Sequence, residues 1–444
     1  MSGPLRFDCD VIVVGGGPAG SAASAWLARA GHAVALFERD RFPRFHIGES
    51  LLASVNDVLA AIGADTLVRQ AGFPQKWGAT FVLGDGRAER YADFSASRGV
   101  STPQTWQVPR ATFDNLLLRH AEASGVLVHE RHRVLGVEFD ADGVTAFVQD
   151  EQKEDGRERR HVRARAIVDA SGRGSVLSRK FNLRVDEPRL ANIAIFSHYS
   201  GVPRQAGRRG GDIRIVARAD LGWFWLIPIS DQLMSVGVVL PRAAFAARTE
   251  KDHAVLLDQA IAETPVVASL LSAARREWPV RVEKDFSFGT RAYAGDRWLL
   301  AGDAGSFLDP VFSTGVAIAL ESGLEAGQAI SVGLRTGDLS KARFGRYARR
   351  QHQRYRSFRR FVLGFYTPAF RDLFFSEDPP ACIFTSLVTV FAGYWRPSVV
   401  TRLWVAVFFL LVRLQGWFRF APSYRPQTAL ETDGDSAPAV ALPK

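Results

Sequence analysis

Gly15, Gly17 and Gly20 stand at the spacing GxGxxG directly after the apolar run 11–14, and Ala19 lies between the last two glycines. Glu38 follows 18 residues after Gly20, with Arg39 beside it. Each position suits a task in holding a dinucleotide. Gly15 lets the chain turn tightly, Gly17 lets backbone approach a pyrophosphate, and Gly20 lets a helix pack on a strand. Glu38 would accept hydrogen bonds from an adenosine ribose. The small and apolar residues 22–30, closed by Gly31, read as the helix, and 33–37 as a second strand. The glycines thus sit in a βαβ unit, the context that gives the motif its meaning.

Four other places carry residues able to do chemistry. Lys76, between Gln75 and Trp77, starts an alternating apolar strand; taken alone it reads as a solvated lysine. Trp223 and Trp225, two apart on a strand, share a face and could wall a pocket, although sheet aromatics more often only pack. Asp303 lies in a glycine-bounded turn after the apolar strand 298–301. Ser313-Thr314-Gly315 heads a small-residue helical segment, whose first N–H groups would favour an anion or the electron-rich end of a ring. Arg110 precedes a helix expected over 111–124, with Thr112 and Asp114 as cap candidates. That place suits a phosphate, and an ordinary surface arginine equally.

These residues need a large scaffold to bring them together, and 444 residues provide about two to three domain units. The strand 166–172 returns the chain to the sheet begun at 11–14. Period-two alternation over 193–240 predicts antiparallel strands, and 341–420 reads as helical. Two cysteines, Cys9 and Cys382, support neither a disulfide framework nor a thiolate metal cluster, and no metal is expected. The net charge of +10 has no basic strip interleaved with aromatics, so nucleic acid is not an expected partner; the excess gathers at 343–360. No signal peptide opens the N-terminus, which predicts a cytoplasmic enzyme. The apolar run 403–412 is too short to span a bilayer and is expected to pack on the body; peripheral membrane contact through Leu403–Phe420 is the alternative.

GxGxxG with Glu38, the strand end Asp169-Ala170-Ser171-Gly172, and Gly302-Asp303 together resemble the flavoprotein monooxygenases of the p-hydroxybenzoate hydroxylase type. Within that fold the chain resembles the flavin-dependent halogenases, in the phenol and pyrrole branch of the tryptophan halogenase family. Residues 223–228, WFWLIP, match their WxWxIP signature, and Phe42 to Ser50 resembles their FPRxHxGES segment, which contains Arg44, Gly48, Glu49 and Ser50. Lys76 falls at the family's active lysine, and Ser313-Thr314-Gly315 resembles its halide loop. Tryptophan halogenases have glutamate before Ser-Thr-Gly, where this chain has Phe312; that departure implies a ring nucleophilic enough without an adjacent carboxylate.

The resemblance implies an α/β fold: a Rossmann-like three-layer FAD-binding domain with an inserted, mainly antiparallel β-sheet domain and a C-terminal helical region. The expected boundaries are 1–72, 104–185 and 285–335 for FAD binding, 73–103 and 186–284 for the substrate sheet, 336–424 for the helices, and 425–444 for a disordered tail. Asp303 would bond the ribityl chain, and Arg44, Gly48, Glu49, Ser50 and Arg110 would line the cofactor. FAD reduced by a separate flavin reductase would react with oxygen to give a C4a-hydroperoxide; the single GxGxxG fits the absence of a built-in NAD(P)H domain, although hydroxylases of this fold also lack a second one. Chloride or bromide held at 313–315 would become hypohalous acid, which Lys76 would bind or carry as a haloamine behind a wall of Trp223 and Trp225. The substrate would be a free aromatic molecule or one tethered to an acyl carrier protein, docked on the basic patch. A geranylgeranyl-reductase-like flavoprotein and an FAD-dependent aromatic hydroxylase are the alternatives.

Overall fold

The structure, a computed structural model, describes residues 7–151, 159–377 and 379–423. The tail expected from 425 onward lies outside them, as does most of the charged turn expected over 150–160. Strands Trp298–Leu300, Arg159–Asp169, Cys9–Val14, Val34–Glu38 and Leu127–Glu130 lie side by side in that order, all parallel. Val11, Ile12 and Val13 are fully buried, as a parallel strand covered on both faces requires. Helices Pro18–Arg29 and Thr314–Thr336 pack closely through small residues: a Cβ on Gly323 would stand 2.2 Å from the carbonyl oxygen of Ala19. The antiparallel strands His132–Phe139 and Val144–Asp150 join the first half of Arg159–Asp169 and form a further layer.

The chain leaves this body twice to build a second sheet. Arg184–Ser200, Leu233–Pro241, Trp223–Pro228, Ile213–Ala217, Gly78–Leu83 and Glu89–Asp93 are neighbours in that order, antiparallel except where Ile213–Ala217 meets Gly78–Leu83. Arg281–Thr290 runs antiparallel to Arg184–Ser200, so the sheet continues beyond 284 and carries the chain back toward the parallel sheet. Alternation in Trp223–Pro228 sorts its side chains. Phe224 and Leu226 join the core beneath helices His253–Ala262 and Pro265–Leu271, whereas Trp223, Trp225 and Ile227 face the first domain.

Helices Gly345–Phe365, Pro368–Phe374, Ala381–Phe391 and Val399–Phe418 follow. One local reading is corrected and a second is met in part. The helix expected over 111–124 spans Arg110–Ala123 behind Pro109, without a side-chain cap, and Asp114 turns inward instead. The apolar run expected to pack on the body does so over much of its surface, with Phe408 buried and Trp404, Val405, Val407, Phe409, Leu411 and Val412 partly buried against the core, while Leu403 and Leu410 stay exposed.

Candidate active site

A cavity of about 560 Å³ lies where the carboxyl ends of the parallel strands face the second sheet. Gly15, Gly17, Ala19, Glu38, Arg39, Arg44, Gly48, Glu49, Ser50, Arg110, Trp223, Trp225, Asp303, Ser313 and Gly315 line it. Gly20, Thr314 and Lys76 are near but off its wall. Gly20 has the packing task instead: a Cβ there would stand 1.8 Å from the carbonyl oxygen of Gly15. Gly15 itself has φ +98°, a conformation glycine adopts without penalty.

The wall fits a dinucleotide. Gly17 opens helix Pro18–Arg29 toward the cavity, where a Cβ would find only the Arg44 guanidinium, 3.5 Å away. Glu38 is buried, accepts from Gly16 N at 2.6 Å and Asp40 N at 2.8 Å, and keeps its carboxylate on the wall. Asp303 makes no hydrogen bond to the protein among the described residues, and burial pushes its carboxyl up to about 6. A carboxylate left in that state awaits hydroxyl donors from something bound. Arg110 spends its donors on the protein: Nε and Nη2 reach Asp114 at 2.7 and 2.8 Å, and Nη1 reaches the Ile47 carbonyl at 2.7 Å. Arg44 meets the same Asp114 at 3.2 Å, so these arginines brace the loop 44–50 as well as charging the wall.

Ser313 sits at φ +56° and turns the chain so that helix Thr314–Thr336 begins at the cavity. Helices leave their first N–H groups without intrahelical partners. Thr314 adds a buried hydroxyl with no hydrogen-bond partner among the described residues. Behind this loop Phe312 lies flat on Phe391, ring centroids 4.7 Å apart, and edge-on to Phe361 and Phe365. A carboxylate at 312 would be buried among rings.

Lys76 is held in a two-residue strand, Gln75–Lys76, paired with Thr105–Trp106. Its side chain is 1% exposed. Nζ donates to Ser50 Oγ at 2.8 Å and the Leu51 carbonyl at 2.7 Å, and lies 5.2 Å from the centre of the Phe94 ring. Burial pulls its pKa down to about 7, against the opposing attraction of Asp212. A neutral amine has two N–H bonds, and both have acceptors here, which leaves its lone pair uncommitted. Ser50 lies on the cavity wall, so the amine sits one hydroxyl behind it.

The FAD binding domain family matches residues 8–361. A 1H-pyrrole-2-carbonyl-peptidyl-carrier-protein chlorinase of Pseudomonas fluorescens is 30% identical over 397 residues, 84% of this chain and 86% of that one. The chain belongs to the flavin-dependent halogenases. Among solved structures, the myxobacterial chondrochloren halogenase is 33% identical, covers 93% of this chain and 91% of its own, and superposes with TM-score 0.74. A flavoprotein/dehydrogenase from Cytophaga hutchinsonii, 30% identical, covers 91% of this chain and 98% of its own with TM-score 0.83.

In this halogenase, several supporting residues escaped sequence reasoning. Asp212, buried, accepts from Trp77 N at 2.6 Å, Gly78 N at 2.9 Å and Tyr91 Oη at 2.9 Å, and so clamps the chain just after Lys76. Tyr366 Oη donates to Asp309 Oδ2 at 2.7 Å and accepts from Trp223 Nε1 and Asn192 Nδ2, each at 2.8 Å. Asp309 opens the turn Pro310–Phe312 ahead of Ser313 and accepts from Val311 N at 3.2 Å. One phenol thereby ties the tryptophan wall to the loop at the start of the long helix. Trp225 Nε1 donates to Ser235 Oγ at 3.1 Å, and the two indoles stand 5.9 Å apart.

Proposed function

We propose that this halogenase chlorinates or brominates an electron-rich phenol or pyrrole ring, delivered on an acyl carrier protein or free, and that Lys76 carries the halogen. The observation that carries this reading is the buried amine, its pKa pulled down to about 7, donating at 2.8 Å to Ser50, a residue of the cavity wall. Reduced FAD with oxygen supplies the oxidant that converts halide to hypohalous acid. Gly315 N–H and the Thr314 hydroxyl would hold the halide, because a buried anion is stable only where donors replace its water. Trp223 and Trp225 would keep the organic ring out of the flavin cavity. The neutral amine then takes halogen: the N–X bond forms, the O–X bond breaks, and water leaves. The ring carbon takes X from nitrogen, and the ring proton passes to the amine. Fixing the electrophile beside one carbon replaces a diffusing reagent by a positioned one.

Phe312 supports a ring that needs no neighbouring carboxylate. Carrier delivery is supported by the substrate in the name of the Pseudomonas relative and by helix Gly345–Phe365, which exposes Arg346, Arg349 and Arg356 toward an acidic partner. A separate flavin reductase is the proposed source of reducing equivalents, and the cytoplasm the proposed location. The test is mass spectrometry after incubation with FAD, a flavin reductase, NADH and bromide, using phenol and pyrrole acyl groups on a carrier and free in solution. A bromine isotope doublet is expected. Hydroxylated product, or oxygen consumption with every ring unchanged, would overturn the reading.

A further inference from the structure

Helix Val399–Phe418 is 20 residues long; an 18-residue stretch of it has a mean hydropathy of 1.6, and 22% of that stretch is buried. Its buried line is anchored firmly. Phe408 packs edge-on against Phe370, and Gln415 donates to Asp372 Oδ2 at 3.0 Å while accepting from Ala421 N at 2.8 Å. The opposite face bears Val399, Leu403, Leu410 and Trp417, 70%, 59%, 55% and 63% exposed. Those positions repeat at intervals of four and seven residues, one stripe along a helix. Phe418 and Phe420 extend the exposed apolar surface at its end. Basic residues flank one side of the stripe. Arg402 and Arg413 are exposed on this helix, and Arg360 reaches across from Gly345–Phe365 to lie 3.7 Å from the centre of the Phe409 ring. From 379 to 423 the chain has Arg396, Arg402, Arg413 and Arg419 and no aspartate or glutamate.

We infer that this face lies flat on an anionic lipid bilayer. An apolar stripe bordered by arginines, with Trp417, Phe418 and Phe420 at one end, has the chemistry of the boundary between headgroups and acyl chains. The charge decides the occupant: an uninterrupted positive border matches phosphate headgroups, whereas a second copy of the same face would set arginines beside arginines. The helix lies on the bilayer and does not cross it, because its Thr401–Phe408–Gln415 line is occupied by the protein and a span would carry Arg402 and Arg413 into hydrocarbon. The surface inference stands independently of the ring substrate proposed above.

The experiment is flotation of the full, FAD-loaded chain with phosphatidylcholine vesicles, with and without phosphatidylglycerol. Binding is expected only with phosphatidylglycerol and should fall as salt rises. The double variant Leu403→Asp, Leu410→Asp should lower partitioning by at least about 10-fold. Its flavin absorbance should be unchanged, since both sites are exposed. Arg402→Glu with Arg413→Glu should remove the preference for the anionic lipid. Failure of the unaltered chain to float, or equal flotation of the leucine variant, overturns the inference. Vesicle-free dimers that dissociate in the leucine variant, or capture of an acidic carrier protein on this stripe without vesicle binding, also overturn it.

Discussion

Replacing Lys76 by methionine should abolish halogenation and, below neutral pH, make the protein more stable. A folded pKa of about 7 against 10.5 in the unfolded chain means that the native state resists protonating this amine. The sign follows from proton counting. Between about 7 and 10.5 the unfolded chain binds more protons than the native one, so stability rises with pH across that window. Below pH 7 the full penalty is present, roughly 5 kcal/mol for a depression of this size. Methionine removes that penalty but strands the Ser50 hydroxyl and the Leu51 carbonyl, which costs roughly 1–3 kcal/mol. The variant should therefore gain about 2–4 kcal/mol at pH 6. The gain should shrink by about 1.4 kcal/mol per pH unit above 7 and become a loss by about pH 10. Urea unfolding of both proteins at a series of pH values reads the difference directly. A stability difference that does not change between pH 6 and pH 10 would refute the claim that this amine is held neutral by burial.

Halogenation itself should accelerate as pH rises through about 7, because the proposed halogen carrier is the neutral amine; a rate that falls across that range would argue for an ammonium donor instead. Asp303→Ala should weaken FAD retention after gel filtration by about 10-fold or more, the worth of a charge-assisted hydrogen bond; undiminished flavin absorbance would remove Asp303 from the cofactor site. Tyr366→Phe deletes the hydroxyl shared by Asp309, Trp223 and Asn192. It should cost about 1–3 kcal/mol and raise the KM for halide more than it lowers kcat; an unchanged halide KM would show that the loop holds its shape without the phenol.

What the sequence made legible was local. Gly15, Gly17, Gly20 and Glu38 define their unit within 30 residues, and the alternation at 223–227 assigns each ring to a face without knowledge of what lies there. Lys76 shows the limit: a lysine at the head of a strand looks the same whether solvated or buried, and only its resemblance to a family position singled it out. Asp212 lies 135 residues from the amide it clamps, and Tyr366 lies 143 from the indole it holds, so no spacing rule could reach either. Asp114 was within reach. Its separation of four from Arg110 on one helix was the signal, but a cap was the competing reading. The run 403–412 is apolar on every side, so its periodicity could not tell which face the neighbouring helices would cover.

Asp303 and Lys76 also act together on stability. Burial raises the Asp303 carboxyl to about 6, so between about pH 4 and 6 the native state binds more protons than the unfolded chain and loses stability as pH rises. Contact with the cavity keeps that penalty to roughly 1–3 kcal/mol above pH 6. The Lys76 penalty runs the other way and is relieved only above pH 7. Their combined cost is therefore greatest between pH 6 and 7. A bound dinucleotide that offers hydroxyls to Asp303 removes one part of the cost and leaves the other, because the amine must stay deprotonatable for turnover. FAD should accordingly stabilise the protein most above pH 6 and progressively less toward pH 4, as the unbound carboxyl becomes neutral without help. Thermal unfolding with and without FAD across that range measures this, and a cofactor-induced shift that grows toward pH 4 would contradict it.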